Sequence, residues 1–212
     1  VVWRVISVDG HPVRGAFTFA VGPNPGPAPQ FVIPSLSETA ATPALVTARW
    51  IALLSFMAAI GLFVLRAIIV RPLVSRVSGT SLRSVSIAFW SALVLALVAV
   101  PVYVRLATAK FALRSFWSWG ALIPLVRASA FGRGYFHLWI VFALFVAAAG
   151  TAILLDRPER PRRSTAELLA VVGASVAGAS ALFIPSLAGH ASQTRPRGLA
   201  LAFDWLNLAA AS

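Results

Sequence analysis

Asp9 and His11 stand two positions apart in Val8-Asp9-Gly10-His11-Pro12. If the strand before them continues to His11, a period of two sets both side chains on one face. A carboxylate oxygen beside an imidazole nitrogen suits a divalent transition metal, and Cu(II) binds such donors most strongly in the usual series. The same residues also read as a plain Asp-Gly turn with an exposed histidine, since two ligands do not specify a metal. Further along, His137, His190, Asp204 and the sole methionine, Met57, are the polar or soft groups set in apolar sequence. Ionisable groups in such surroundings are costly and tend to mark ion pathways, and a thioether suits Cu(I).

The elements that carry these residues follow from composition. The chain has 212 residues, of which 59% are hydrophobic and 11% charged, with mean hydropathy +0.85. Soluble domains carry about 25% charged residues, so neither a water-soluble globule nor a disordered chain fits. Eighteen basic against six acidic residues give a net charge of +12. In a membrane protein basic loops account for that excess, and no nucleic-acid partner is expected. The absence of cysteine removes disulfides and thiolate chemistry.

Residues 1–22 read as two strands. Val2-Trp3-Arg4-Val5-Ile6-Ser7-Val8 is rich in β-branched residues, and Arg14 to Val21 alternates apolar with small or polar ones. Two strands alone are marginal. The expectation is therefore the end of a β-sandwich in a chain lacking sequence at both ends, since it opens on Val1 and stops at Ser212 within an apolar stretch. Residues 23–43 form a linker with prolines at 23, 25, 27, 29, 34 and 43, a semi-rigid spacer.

Residues 44–212 hold spans of the roughly 20 apolar residues that cross a bilayer. They run over about 50–70, 84–104, 135–155 and 168–189, with a truncated fifth from about 199. The fold class expected is mainly α, a polytopic membrane bundle preceded by a β-hairpin remnant. Arg66, near the end of the first span, is read as snorkelling to the headgroups. Arginines at 71, 76, 83, 157, 160, 162 and 163 in short loops place those loops in the cytoplasm and the β-strands outside. The basic 105–133 connection, with Phe111, Phe116, Trp117, Trp119 and Leu122, reads either as a helix lying in the outer interface or as a loop packed on the bundle. With that topology His137, His190 and Asp204 share the outer layer. Asp204 falls about one turn into the fifth helix and Met57 about 10 Å along the first from Trp50. Each also has a plainer reading. The histidines suit headgroup anchoring, Met57 suits packing, and Asp204 suits a helix N-terminus.

Trp3-Arg4-Val5-Ile6-Ser7-Val8-Asp9-Gly10-His11-Pro12-Val13-Arg14-Gly15-Ala16-Phe17-Thr18-Phe19 resembles the closing strands of the periplasmic copper-binding CopC family, whose pattern is W-R-V-x-S-x-D-G-H-P-V-x-G-x-F-x-F. The resemblance implies that Asp9 and His11 are Cu(II) ligands in a small β-sandwich. It also implies that the remaining ligands come from the family's mature N-terminus, which residues 1–212 do not include. A CopC-like module, a proline-rich tether and many helices together are similar to CopC–CopD fusions of copper uptake or resistance. Ala130-Phe131-Gly132-Arg133, Ser186-Leu187-Ala188-Gly189-His190-Ala191 and Asp204-Trp205-Leu206-Asn207 agree with the CopD part, except that Asn207 stands where the family usually has His.

The resulting expectation is a copper-binding protein of the bacterial inner membrane. Its N-terminal module faces outward, and it takes copper, its only expected cofactor, from a periplasmic or extracellular carrier. Two other classes remain open. One is a b-type haem protein using two histidines as axial ligands; the other is a non-transporting anchor or sensor. With no phosphate loop, thiol nucleophile, paired carboxylates or H-E-x-x-H, an enzyme is not expected.

Overall fold

The computed structural model describes residues 2–6, 12–17, 19, 21–22, 42–77, 79–112, 115–128, 130–160, 162–188, 191 and 194–212. The strands β1 (Val2–Ile6) and β2 (Pro12–Ala16) pair antiparallel, with Val2 opposite Ala16 and Trp3 opposite Gly15. The other elements among the described residues are helices. Helix α1 spans Pro43–Val74, α2 Arg83–Ala112, α3 Trp119–Ala128, α4 Ala130–Leu155, α5 Thr165–Ala188 and α6 Arg197–Ala210.

Four of these, α1, α2, α4 and α5, are long and apolar enough to cross a membrane. Each is longer than the sequence spans imply. Helix α1 starts seven residues before Trp50, with Pro43 in its first turn, where a missing N–H costs nothing and the fixed φ already suits a helix. The Thr42 carbonyl accepts from the Leu45 and Val46 amides. At 1.5 Å per residue the 32 residues of α1 reach about 48 Å, well beyond a hydrocarbon core of about 30 Å.

Helix α1 packs most extensively on α2, and α4 on α5. The two pairs meet in a ring cluster. Phe56 lies 5.1 Å from Phe142, Phe63 5.7 Å from Phe145, and Phe89 6.4 Å from Phe145, centroid to centroid. Helix α5 approaches this cluster with small residues. Ala174 and Ala181 are buried, and a Cβ on Gly178 would sit 3.1 Å from Ile60 Cγ2. Small residues at such positions let helices come close in lipid, where packing rather than hydrophobicity drives association. Outward-facing Ile68, Val94, Val98, Leu144, Leu169 and Val176 are exposed, which suits a lipid-facing surface and not a water-facing one. Helix α3 packs between α2 and α4, and α6 packs along α5.

Candidate functional site

Helix α1 changes register near its end. Residues Leu65–Val70 form a π-helix, in which the Arg71 amide reaches the Arg66 carbonyl, five residues back. The next donor in that pattern would be residue 72, which is proline and has no N–H to give to the Ala67 carbonyl. Arg163 fills the gap, its Nη2 donating to Ala67 O. Single π turns of this kind often mark functional positions.

Around this turn five charged side chains meet. Arg66 Nη1 lies 2.9 Å from Asp156 Oδ2, and Arg71 Nε 3.4 Å from Asp156 Oδ1. Arg71 Nε is also 4.0 Å from Glu167 Oε1, and Arg163 Nε 3.0 Å from the same oxygen. Three cations thus share two carboxylates. The remaining donors go to neutral acceptors. Arg66 Nε donates to Ser86 Oγ, and Arg71 Nη2 to the Arg157 and Arg160 carbonyls. Four of the five side chains are nearly sealed from solvent, with Asp156 at 3% exposure and Arg163, at 19%, the least covered. Charges held this way need partners on every side. The network ties the end of α1 to the start of α2 and to the α4–α5 turn.

Two readings of the sequence change here. Arg66 does not snorkel; it is buried and paired. The 156–163 segment is more than an orientation signal, because Asp156, Arg163 and the carbonyls of Arg157 and Arg160 bind α1. The available sign was an arginine within an apolar span, which calls for a carboxylate nearby. Asp156 and Glu167 flank the one short loop that holds such groups.

The sequence-derived site residues are dispersed. Asp9, His11 and His190 lie outside the described residues. Met57 is buried on the core face of α1, in the same hydrophobic cluster as Phe56 and Ile60. His137 is exposed on α4, where it lines a groove between α2, α3 and α4. Asp204 sits on α6, at the α5 side of the bundle, next to Trp205, whose Nε1 donates to Ala179 O at 3.0 Å. It is seven residues from Arg197, about 10 Å along the helix, so it is deeper than the one turn expected and does not cap the N-terminus, where Pro196 stands. Asn207 is exposed one turn further on. Met57, His137 and Asp204 are therefore carried by three helices and are not brought together. Among the described residues no three of His, Cys, Asp and Glu are grouped as a metal site would need.

The groove at His137 has the opposite character to the ion-paired end. Arg105 is stacked under Trp119, its Cζ 3.0 Å from the ring centroid, and lies 4.7 Å from that of Phe116. Its Nε donates to Phe116 O at 2.6 Å. Of the 105–133 stretch, residues up to Ala112 extend α2 and those from Ala130 open α4; the described residues between them include the short helix α3, and Phe116 and Trp119 clamp an arginine of α2. Gly132 allows this, since a Cβ there would run into the Val126 carbonyl oxygen of α3.

Comparison with known families gives one match. A CopC domain model matches residues 1–22, the stretch that contains Asp9 and His11. No curated protein and no solved structure matches the chain. The chain is similar to CopC over those residues, which links it to copper resistance, and it carries four helices able to cross a bilayer.

Proposed function

We propose that this is a copper-handling protein of the bacterial inner membrane. A CopC-like module on the outer side takes up Cu(II) through Asp9, His11 and further ligands, and a CopD-like bundle takes part in copper transport or resistance. The observation that carries the reading is the CopC match over residues 1–22, joined in one chain to four membrane-capable helices. The donor types support it, since a carboxylate and an imidazole two residues apart are ligands that Cu(II) favours over other divalent ions.

The orientation rests on charge. The turn between α1 and α2 carries Arg76, with Arg83 opening α2, and the turn between α4 and α5 carries Arg157, Arg160, Arg162 and Arg163, so both turns belong in the cytoplasm. The N-terminal strands then face the periplasm, where a copper carrier can reach them. Within the bundle Met57 is a candidate Cu(I) donor, and His137 and Asp204 are candidates for the outer approach. Copper is cargo here and no catalysis is assigned.

The test is metal analysis of the purified full-length protein, with the family's N-terminal ligands included, after loading with Cu(II) and desalting, with and without the pair Asp9→Ala and His11→Ala. The expected result is loss of bound copper in the double variant while its circular dichroism is unchanged. Equal copper per chain in both proteins would overturn the reading.

A further inference from the structure

The groove between α2, α3 and α4 has a volume of about 720 Å³. Its walls are apolar and aromatic, with Val102, Trp119, Ile123, Phe136 and Trp139 among them, and all five are exposed. Three arginines, Arg105, Arg127 and Arg133, line it as well, together with His137, and among the described residues no carboxylate does. Asp156 and Glu167 are committed to the network at the far end of the bundle. From Arg83 to Arg105 α2 rises about 33 Å, so the groove lies at the opposite membrane boundary.

Arg105 is the informative residue. It is 9% exposed, and its buried Nη2 has no hydrogen-bond partner among the described residues. Its ring contacts and the bond from Nε satisfy the guanidinium on other sides. A buried donor left unmade is costly, and an oxyanion is the partner a guanidinium fork fits best. The groove therefore combines an anion-binding end with an apolar trough beside the lipid-facing surface.

We propose that this groove binds an anionic phospholipid. The headgroup phosphate is held by Arg105 with Arg127 and Arg133 at the rim, and an acyl chain lies along Val102, Phe136 and Trp139. Basic pockets between membrane helices suit such headgroups, and aromatic residues favour the interfacial level where a headgroup sits. The inference is independent of copper and requires only that α2 and α4 span the bilayer.

The experiment is native mass spectrometry of the purified chain, delipidated and titrated with phosphatidylglycerol or phosphatidylcholine. Phosphatidylglycerol should be retained at about tenfold lower concentration, the scale of one charge-assisted bond. Arg105→Gln with Arg133→Gln should abolish that preference, whereas Arg83→Gln at the other end of α2 should leave it intact. Val102→Trp fills the trough without removing a cation and should also lower phosphatidylglycerol retention, which covers the case of an Arg105 variant that does not fold. Equal retention of the two lipids by the unmodified protein would overturn the proposal. So would displacement of phosphatidylglycerol by millimolar inorganic phosphate, or full retention by the Val102→Trp variant.

Discussion

The Arg163 guanidinium donates to the Ala67 carbonyl, which the π turn and Pro72 together leave without a backbone donor. A side chain from the α4–α5 turn thus completes the hydrogen bonding of α1. Proline in a membrane helix is tolerated where neighbours satisfy the groups it frees, and here the neighbour is a charged residue that Glu167 also holds.

This relationship makes Pro72 and Arg163 energetically coupled. Arg163→Met alone should cost about 1–3 kcal/mol by leaving a buried carbonyl unpaired. In a Pro72→Ala background the restored N–H can serve that carbonyl, and Arg163→Met should then cost about 1 kcal/mol less. Thermal unfolding of the four proteins in detergent measures the coupling; additive losses would mean that Arg163 acts only through Glu167.

Asp156 is the hub of the network. Asp156→Ala leaves Arg66 and Arg71 buried beside each other with only Glu167 near, and should cost about 3–5 kcal/mol. Glu159→Ala, three residues away and exposed, should change stability by no more than about 0.5 kcal/mol. The same unfolding assay separates the two, and equal effects would remove the network from the account of stability.

The contrast between these two acids marks what the sequence discloses. Hydropathy locates four membrane-capable helices because a bilayer imposes a length on each, and that signal needs no partner. It undershoots their ends, as at Pro43, because Thr47 and Arg49 interrupt the apolar run ahead of Trp50. Whether Asp156 or Glu159 faces α1 depends on how two helix pairs dock, which no local pattern encodes. The π turn is equally hidden, although Pro72 five residues after Ala67 fixes where a donor is missing. The site residues divide on the same line. Asp9-Gly10-His11 is a contiguous motif, and a CopC model matches the stretch that holds it. The scatter of Met57, His137 and Asp204 over three helices follows from packing. Arg105 reads in the sequence only as one of several basic residues, because its role depends on Trp119 and Phe116, which reach it from the chain beyond α2.

Gly132 and Gly150 lie on the same helix and should respond oppositely to alanine. At Gly132 the new Cβ meets backbone of α3, which cannot yield without moving the groove wall, and the expected cost is about 1–3 kcal/mol. At Gly150 the nearest atom is in the Trp90 ring, 3.9 Å away, an ordinary contact. Alanine there should be neutral or stabilising by up to about 1 kcal/mol through its better helix propensity. Unfolding temperatures of the two variants check the pair; a tolerated Gly132→Ala would show that α3 is not held against α4.

Topology can be read directly because the chain has no cysteine, so any single introduced thiol reports alone. The network joins the α1–α2 and α4–α5 turns at one end of the bundle, whereas Trp117, 74% exposed, precedes α3 at the other. Thr80→Cys and Glu159→Cys should therefore resist a membrane-impermeant maleimide in spheroplasts and react once the membrane is permeabilised. Trp117→Cys and Gly22→Cys should react in intact spheroplasts. The decisive comparison is Gly22 with Trp117. The strands and the arginine-lined groove share a side when α1 and α2 both cross, since two crossings return the chain to the face from which it started. Labelling of Gly22→Cys and Thr80→Cys from the same side would remove α1 as a span and reverse the direction of every helix after it.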